Sequence, residues 1–249
     1  MGIGFGGDVE FNDRLVLGAA AAWSDTEVDG DTLSSNRLDA ETYQLVVYGD
    51  YALNETDFVE SYAIAGWNDN QTRRQLSIGG LTRQARGDYN SFFTRIYTGL
   101  GRHYHTSDSW TFAPVVNLRY TYIDEDSYTE KGAGSLNLAV DDNDADSLIL
   151  GLDGVATYRF GDNQGYTMTL RTGIGFDVLT DETAVTSTFA GGGGAFTTTG
   201  AEPDEFTYRA GIGFNAAPTD RVSVHLDYEF EGRSDYQSHG GSMNLRWQF

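Results

Sequence analysis

From Arg221 to Glu231 the chain alternates without a break. Val222, Val224, Leu226, Tyr228 and Phe230 fall on one side, and Arg221, Ser223, His225, Asp227, Glu229 and Glu231 on the other. A two-residue period is that of a β-strand with one face in an apolar medium and the other in a polar one. The pattern recurs. Phe206, Tyr208, Ala210, Ile212 and Phe214 oppose Thr207, Arg209, Gly211, Gly213 and Asn215; Tyr166 to Asp177 and Trp110 to Tyr122 divide in the same way. Eleven such segments can be read, many of 9 to 12 residues with aromatics near both ends of the apolar face. Sandwich strands usually have about 5 to 6 residues. Tilted strands of about 9 to 11 residues are what crosses roughly 25 Å of hydrocarbon. The fold class expected is all-β: a transmembrane, antiparallel, up-and-down β-barrel forming one domain over residues 1–249.

Composition agrees where it bears on this choice. No run approaches the roughly 18 apolar residues of a membrane helix, and 31 Gly, 15 Tyr and 14 Phe against 3 Pro favour packed strands. There is no Cys, which excludes disulfides and Cys-based zinc sites. The opening Met-Gly-Ile-Gly-Phe has neither the basic stretch nor the apolar core of a secretory leader. A formal charge of −21 argues against a nucleic-acid partner. The acidic residues crowd the connections, as at Asp124, Glu125 and Asp126, at Asp141, Asp142, Asp144 and Asp146, and at Asp181 and Glu182. A solvated loop surface accounts for them; divalent cations or lipopolysaccharide are the alternative contacts.

Of the 16 basic residues only Lys131 is lysine. Arginine keeps its charge when partly buried and forks onto carboxylates. Arg95, Arg119, Arg171, Arg209 and Arg246 all fall on the polar face near mid-strand. Against lipid each would cost about 2 to 4 kcal/mol, so the polar face is the lumenal one. Asp153, Asp177, Asp227 and Glu229 share it and are the expected partners. The connections alternate in length. Short ones surround Asn12-Asp13, Asn54-Glu55, Ser107-Asp108, Gly161 to Asn163 and Pro218 to Asp220. Long ones lie near 24–37, 70–90, 123–147 and 179–205, with a tight one at 232–236. Short turns belong to the periplasmic side of a bacterial outer-membrane barrel and long loops to the outside. The C-terminus is therefore expected at the periplasm and the acidic loops outside the cell.

The chain closes on Met243, Leu245, Trp247 and Phe249, apolar at every second position, and this arrangement resembles the C-terminal assembly-signal strand of outer-membrane barrels. The likeness widens with Gly6-Gly7-Asp8-Val9 followed by Asn12 to Gly18, with Tyr43-Gln44-Leu45 and Val47-Tyr48-Gly49, and with Phe112-Ala113-Pro114 before Leu118 to Tyr122. It continues in Tyr128-Thr129-Glu130-Lys131-Gly132-Ala133-Gly134, in Thr188 to Gly191 and in Ala195-Phe196. Their order and spacing resemble the translocator β-domain of monomeric autotransporters, the type V secretion proteins, over essentially the whole chain. The resemblance implies a twelve-stranded barrel whose pore is crossed by a helix joined to an N-terminal passenger, and insertion by the barrel-assembly machinery. Eleven strands are readable here. The first strand, the pore helix and the passenger are expected to be missing from these residues, unless two strands are merged within 70–100.

Catalytic, metal and cofactor sites are not expected. His103 and His105 share a strand face, which makes a metal site conceivable, but a membrane rim explains them as well. His225 beside Asp227 and Ser223 lacks a Gly-x-Ser-x-Gly elbow. Asp153, Asp177, Asp227 and Glu229 could by position cut a linker inside the pore, with ion pairing as the plainer account. Pro114 interrupts a strand, tolerably so near a short turn. Gly191 to Gly194 lacks the Lys and Ser or Thr of a phosphate loop and reads as an outside hairpin. The alternatives to a translocator are a stand-alone channel or surface-anchoring barrel, and an enzyme with its site at the rim.

Overall fold

The computed structural model describes residues 1–30, 36–161, 165–179, 184–200, 203–219, 221–234 and 236–248. The alternating segments form one antiparallel sheet. Its strands are β1 (Gly2–Asn12), β2 (Leu15–Asp29), β3 (Arg37–Ala52), β4 (Asp57–Ile78), β5 (Leu81–Arg102), β7 (Trp110–Glu125), β10 (Asn143–Phe160), β11 (Tyr166–Asp177), β14 (Phe206–Thr219), β15 (Val222–Arg233) and β16 (Tyr236–Trp247). They are ordered in space as in sequence, each paired with the next. The two-residue β6 (Tyr104–His105) extends β5 alongside β7. The eleven long strands are the eleven segments read from the sequence.

The sheet is curled, and side chains define its hollow face. Arg119 on β7 reaches Glu231 on β15 at 2.8 Å, although three strands lie between them. Strands spaced about 4.8 Å apart would hold these residues nearly 20 Å apart in a flat sheet. Only curling toward the arginine face lets them meet. Arg246 of the last strand likewise reaches Asp8 of the first at 2.5 Å. The opposite, convex face carries the exposed apolar side chains: Leu45 is 56% exposed, Val116 64% and Leu245 71%. Apolar outside and charged inside is the inverse of a water-soluble sandwich.

At one end the strands are joined by short turns held by side chains. The Asn54 carbonyl oxygen accepts from the Thr56 and Asp57 amides, Ser107 Oγ from Trp110 N, and Thr219 Oγ1 from Arg221 and Val222 N. At the other end the structure corrects the sequence reading. The stretch near 70–90 is no loop. β4 and β5 pair continuously from Asp57 with Arg102 to Ile78 with Leu81, and Gly79 and Gly80 turn the corner at φ of 55° and 84°. Residues beyond the hydrocarbon need no apolar face, so the alternation fades while the backbone ladder continues. No pair of strands is merged within 70–100.

The connections at 123–147 and 179–205 are also more ordered than plain loops. They form a second, four-stranded sheet of β8 (Tyr128–Thr129), β9 (Leu138–Val140), β12 (Ala184–Phe189) and β13 (Phe196–Thr199), in the order β13-β12-β9-β8. Gly191 to Gly194 turns between β12 and β13, as the hairpin reading requires.

On the hollow face large rings lie over glycines: Tyr48 over Gly18 and Phe93 over Gly66. A Cβ at Gly66 would run into the Phe93 ring, whereas at Gly240 it would meet nothing within 4 Å. Gly66→Val should therefore cost about 1 to 3 kcal/mol in the urea unfolding free energy of the folded protein in lipid, and Gly240→Ala less than about 0.5 kcal/mol.

Candidate functional site: a charged inner wall

Successive strands set arginines and carboxylates on the hollow face, where the curl brings distant strands within reach. Arg209 on β14 grips Asp153 on β10 through both Nε, at 2.8 Å, and Nη2, and Asn117 Nδ2 donates to the same carboxylate at 2.6 Å. Arg171 donates to Asp227 Oδ1 at 2.6 Å, while His225 Nε2 meets the other oxygen. Asp177, almost fully buried, accepts from Ser147 Oγ at 2.6 Å, from Leu148 N at 3.0 Å and from Arg233 Nη2 at 3.1 Å. Tyr97 donates to Glu60 at 2.6 Å.

Seven of the nine expected wall residues meet a partner in ion pairs: Arg119, Arg171, Arg209, Arg246, Asp153, Asp177 and Asp227. Arg119 pairs with Glu231, which is not among the four carboxylates named from the sequence. Among the described residues the Glu229 carboxylate makes no hydrogen bond and the Arg95 guanidinium bonds only Thr121 Oγ1, at 3.2 Å. Arg246 pairs with Asp8, and Arg233 serves Asp177. Glu231 carries the same alternation signal as Glu229; choosing between them needs the stagger of strands four places apart, which periodicity does not encode. Asp8 and Glu60 were legible as polar-face residues but have no marker of their own.

These groups neutralise one another and present a hydrophilic, ordered surface. Ser223 makes no hydrogen bond with His225 among the described residues. The His103 and His105 rings stack at 6.3 Å, His103 lies on Phe58 at 4.4 Å, and His105 Nδ1 meets Thr111 Oγ1 at 3.1 Å. Among the described residues no three His, Cys, Asp or Glu side chains are grouped to hold a metal.

Above the wall, the 126–140 segment packs against the hollow side of the long β4–β5 hairpin. Arg74 forks onto buried Glu130 at 2.9 and 2.5 Å and also donates to the Leu136 carbonyl. Arg83 donates to the Ala133 carbonyl at 2.5 Å, Arg86 and Lys131 exchange backbone hydrogen bonds, and Tyr128 stacks on Tyr89 at 4.7 Å. Burial raises the Tyr128 phenol above its ordinary value. Near the second loop, Ser234 Oγ and the Phe206 amide both donate to Asp204 and lower its pKa. The block Tyr128 to Gly134, noted in the sequence for its family likeness, is thus the clamp that fastens the second sheet to the first.

On β16, Met243, Leu245 and Trp247 project from the convex face at 70%, 71% and 65% exposure. Phe249, the fourth expected assembly-signal residue, lies outside the described residues. β16 pairs with β15 alone among the described residues, and β1 with β2 alone.

Comparison with known proteins decides the family: the autotransporter β-domain matches residues 1–229. The chain belongs to the autotransporter β-domain family. This is a family of outer-membrane barrels, which accounts for the apolar exterior. The autotransporter chain is 35% identical to outer membrane protein A of Rickettsia conorii over 154 residues, 55% of this chain and 7% of that protein. It is 24% identical to the esterase EstA of Pseudomonas aeruginosa over 98% of this chain and 38% of the relative. It thus spans well under half of these relatives. In fold it is similar to the translocator domain of the autotransporter NalP from Neisseria meningitidis, with a TM-score of 0.79 and 14% identity over 100% of this chain and 79% of the other. The Pseudomonas putida toluene transporter TodX also shares the barrel fold, at a TM-score of 0.59 and 12% identity over 100% of this chain and 73% of the other.

Removing Arg209 alone would leave Asp153 charged and only 12% exposed. Arg209→Gln should lower stability by about 2 to 3 kcal/mol, because one half of a partly buried pair is stranded. Combining it with Asp153→Asn should cost at least about 1 kcal/mol less than the two single changes added together, measured by urea unfolding in detergent or lipid.

Proposed function

We propose that this chain is the translocator of an autotransporter: a barrel that carries an N-terminal passenger to the cell surface and anchors it there, with no turnover chemistry of its own. The observation that supports this most directly is the curled sheet itself, apolar outside and lined inside by hydrogen-bonded Arg–carboxylate pairs, in a chain of this family. A hydrophilic wall on which most charges already hold a partner lets an extended polypeptide pass without binding it tightly. In the membrane, the short turns face the periplasm with the C-terminus, and the β4–β5 hairpin and the second sheet face outside. The partners implied are outer-membrane lipid and lipopolysaccharide on the convex face, the barrel-assembly machinery on the closing strand, and the passenger with its linker helix in the lumen.

Ten antiparallel steps leave β1 and β16 running the same way, so they cannot pair antiparallel with each other. One strand running opposite to both would satisfy both edges. We place the family's first strand there, ahead of Gly2.

The likeness in fold to the toluene transporter TodX supports a second reading, a stand-alone channel. The two readings separate in one experiment. An epitope encoded ahead of Met1, in the full reading frame that includes this chain, should be cut by protease added to intact cells, and deleting residues 236–249 should abolish its surface display. An epitope that never reaches the surface while the folded barrel conducts ions would favour the channel.

A further inference from the structure

At the short-turn end of the convex face, a groove of about 420 Å³ opens between the β3–β4 turn and the strands β5 and β7. Its floor is apolar: Leu53, Leu100, Pro114 and Val116. Leu100 and Val116 are 55% and 64% exposed, so they are offered to the surrounding medium and not packed against protein. The groove exists partly because Pro114 stands opposite Arg102. The β5–β7 ladder runs to Gly101 opposite Val115 and resumes at Tyr104 opposite Phe112 in the same register. Proline has no N–H for the rung between. Its small ring leaves space over Arg102, where a longer side chain would fill it.

Three polar groups edge the groove at its turn end: Asp57, Arg102 and Tyr104. Arg102 donates to Asp57 from Nε at 2.5 Å and from Nη2 at 2.8 Å, and Asn54 Nδ2 donates to Asp57 Oδ2 at 2.9 Å. A guanidinium has five N–H groups and a carboxylate about four acceptor positions. Two N–H and three acceptor positions are used here. The Arg102 side chain is 54% exposed, its Nη1 meets no carboxylate or carbonyl among the described residues, and the Tyr104 hydroxyl stands beside the guanidinium. The ion pair is internally neutral, yet each member retains capacity facing an apolar slot.

We propose that this groove is a binding site for one membrane glycerophospholipid whose head group carries both a phosphate and a primary ammonium. The phosphate accepts from Arg102 Nη1 and the Tyr104 hydroxyl, the ammonium donates to the remaining lone pair of Asp57, and the acyl chains lie along Leu53, Leu100 and Val116. Charge complementarity selects the occupant. A zwitterion adds no net charge to a neutral pair, whereas an anionic lipid would set an uncompensated charge beside Asp57. A quaternary ammonium would have no N–H to give. The level of the groove is also that of a membrane interface. Along the same end of the convex face Trp110 and Tyr158 meet at 4.8 Å, Tyr158 and Phe160 at 5.5 Å, and Phe160 and Tyr166 at 5.7 Å, the aromatic belt that marks the head-group region. The inference rests on the reading of the chain as a membrane barrel with its short turns at one leaflet.

The test uses the full-length precursor reconstituted into bilayers of equal parts phosphatidylethanolamine, phosphatidylcholine and phosphatidylglycerol with identical acyl chains, then extracted into mild detergent for native mass spectrometry. The wild type should retain one phosphatidylethanolamine about tenfold more often than either other lipid, a preference that one added charge-assisted hydrogen bond supplies. Asp57→Asn, which removes the charged acceptor of the ammonium, should abolish the preference. Leu100→Trp, which fills the groove and leaves the ion pair intact, should lower retention of all three lipids. Equal retention of the three by wild type, or a preference unchanged in both variants while circular dichroism shows them folded, would overturn the site and leave the membrane reading standing. A wild-type chain that never enters the bilayers would overturn the membrane reading and the site with it.

Discussion

In hydrocarbon a backbone N–H or C=O has no water to bond, so a chain that crosses in strands must pair each one with its neighbours. This requirement organises the molecule. It forces long, uninterrupted antiparallel ladders, and the ladders impose the two-residue alternation. Once alternate side chains face lipid, the polar remainder must face a shared interior. Pro114, with no N–H to give, coincides with the one rung missing between Gly101–Val115 and Tyr104–Phe112, close to the turn where water can serve the backbone.

Curling then creates the interior chemistry. Arg119 and Glu231, or Arg209 and Asp153, are distant in sequence and belong to strands that are not neighbours; they meet only because the sheet bends toward them. In turn each pair, formed across a gap, favours the curvature that brings its members together. The outer half of the β4–β5 hairpin obeys a different rule. It has no continuous apolar convex face and gains its order on the hollow side from the Arg74–Glu130 clamp, buried Ala85 and the Tyr89–Tyr128 stack.

What the amino-acid sequence made legible follows the same physics. The strands in hydrocarbon and the face on which Arg95, Arg119, Arg171, Arg209 and Arg246 lie could be read directly, since a one-residue slip would place every charge in lipid. The second sheet and the ladder between Asn70 and Tyr89 could not, because the face buried there mixes Asn70, Arg74, Ala85, Gly87 and Tyr89 and so leaves no apolar period to read. The choice of Glu231 over Glu229, and of Asp8 for Arg246, was hidden for another reason. Both depend on stagger across the hollow, and alternation along one strand is silent about that.

The central claim is that the two faces of each strand meet different media, apolar outside and aqueous inside. The chain has no cysteine, so single cysteines at successive positions from Val222 to Arg233 can carry spin labels in a reconstituted bilayer. Collision rates with oxygen, which concentrates in lipid, should peak at 222, 224, 226, 228 and 230, and those with a water-soluble nickel complex at 223, 225, 227 and 229. A profile with no two-residue period, or with the two sets exchanged, would contradict the account.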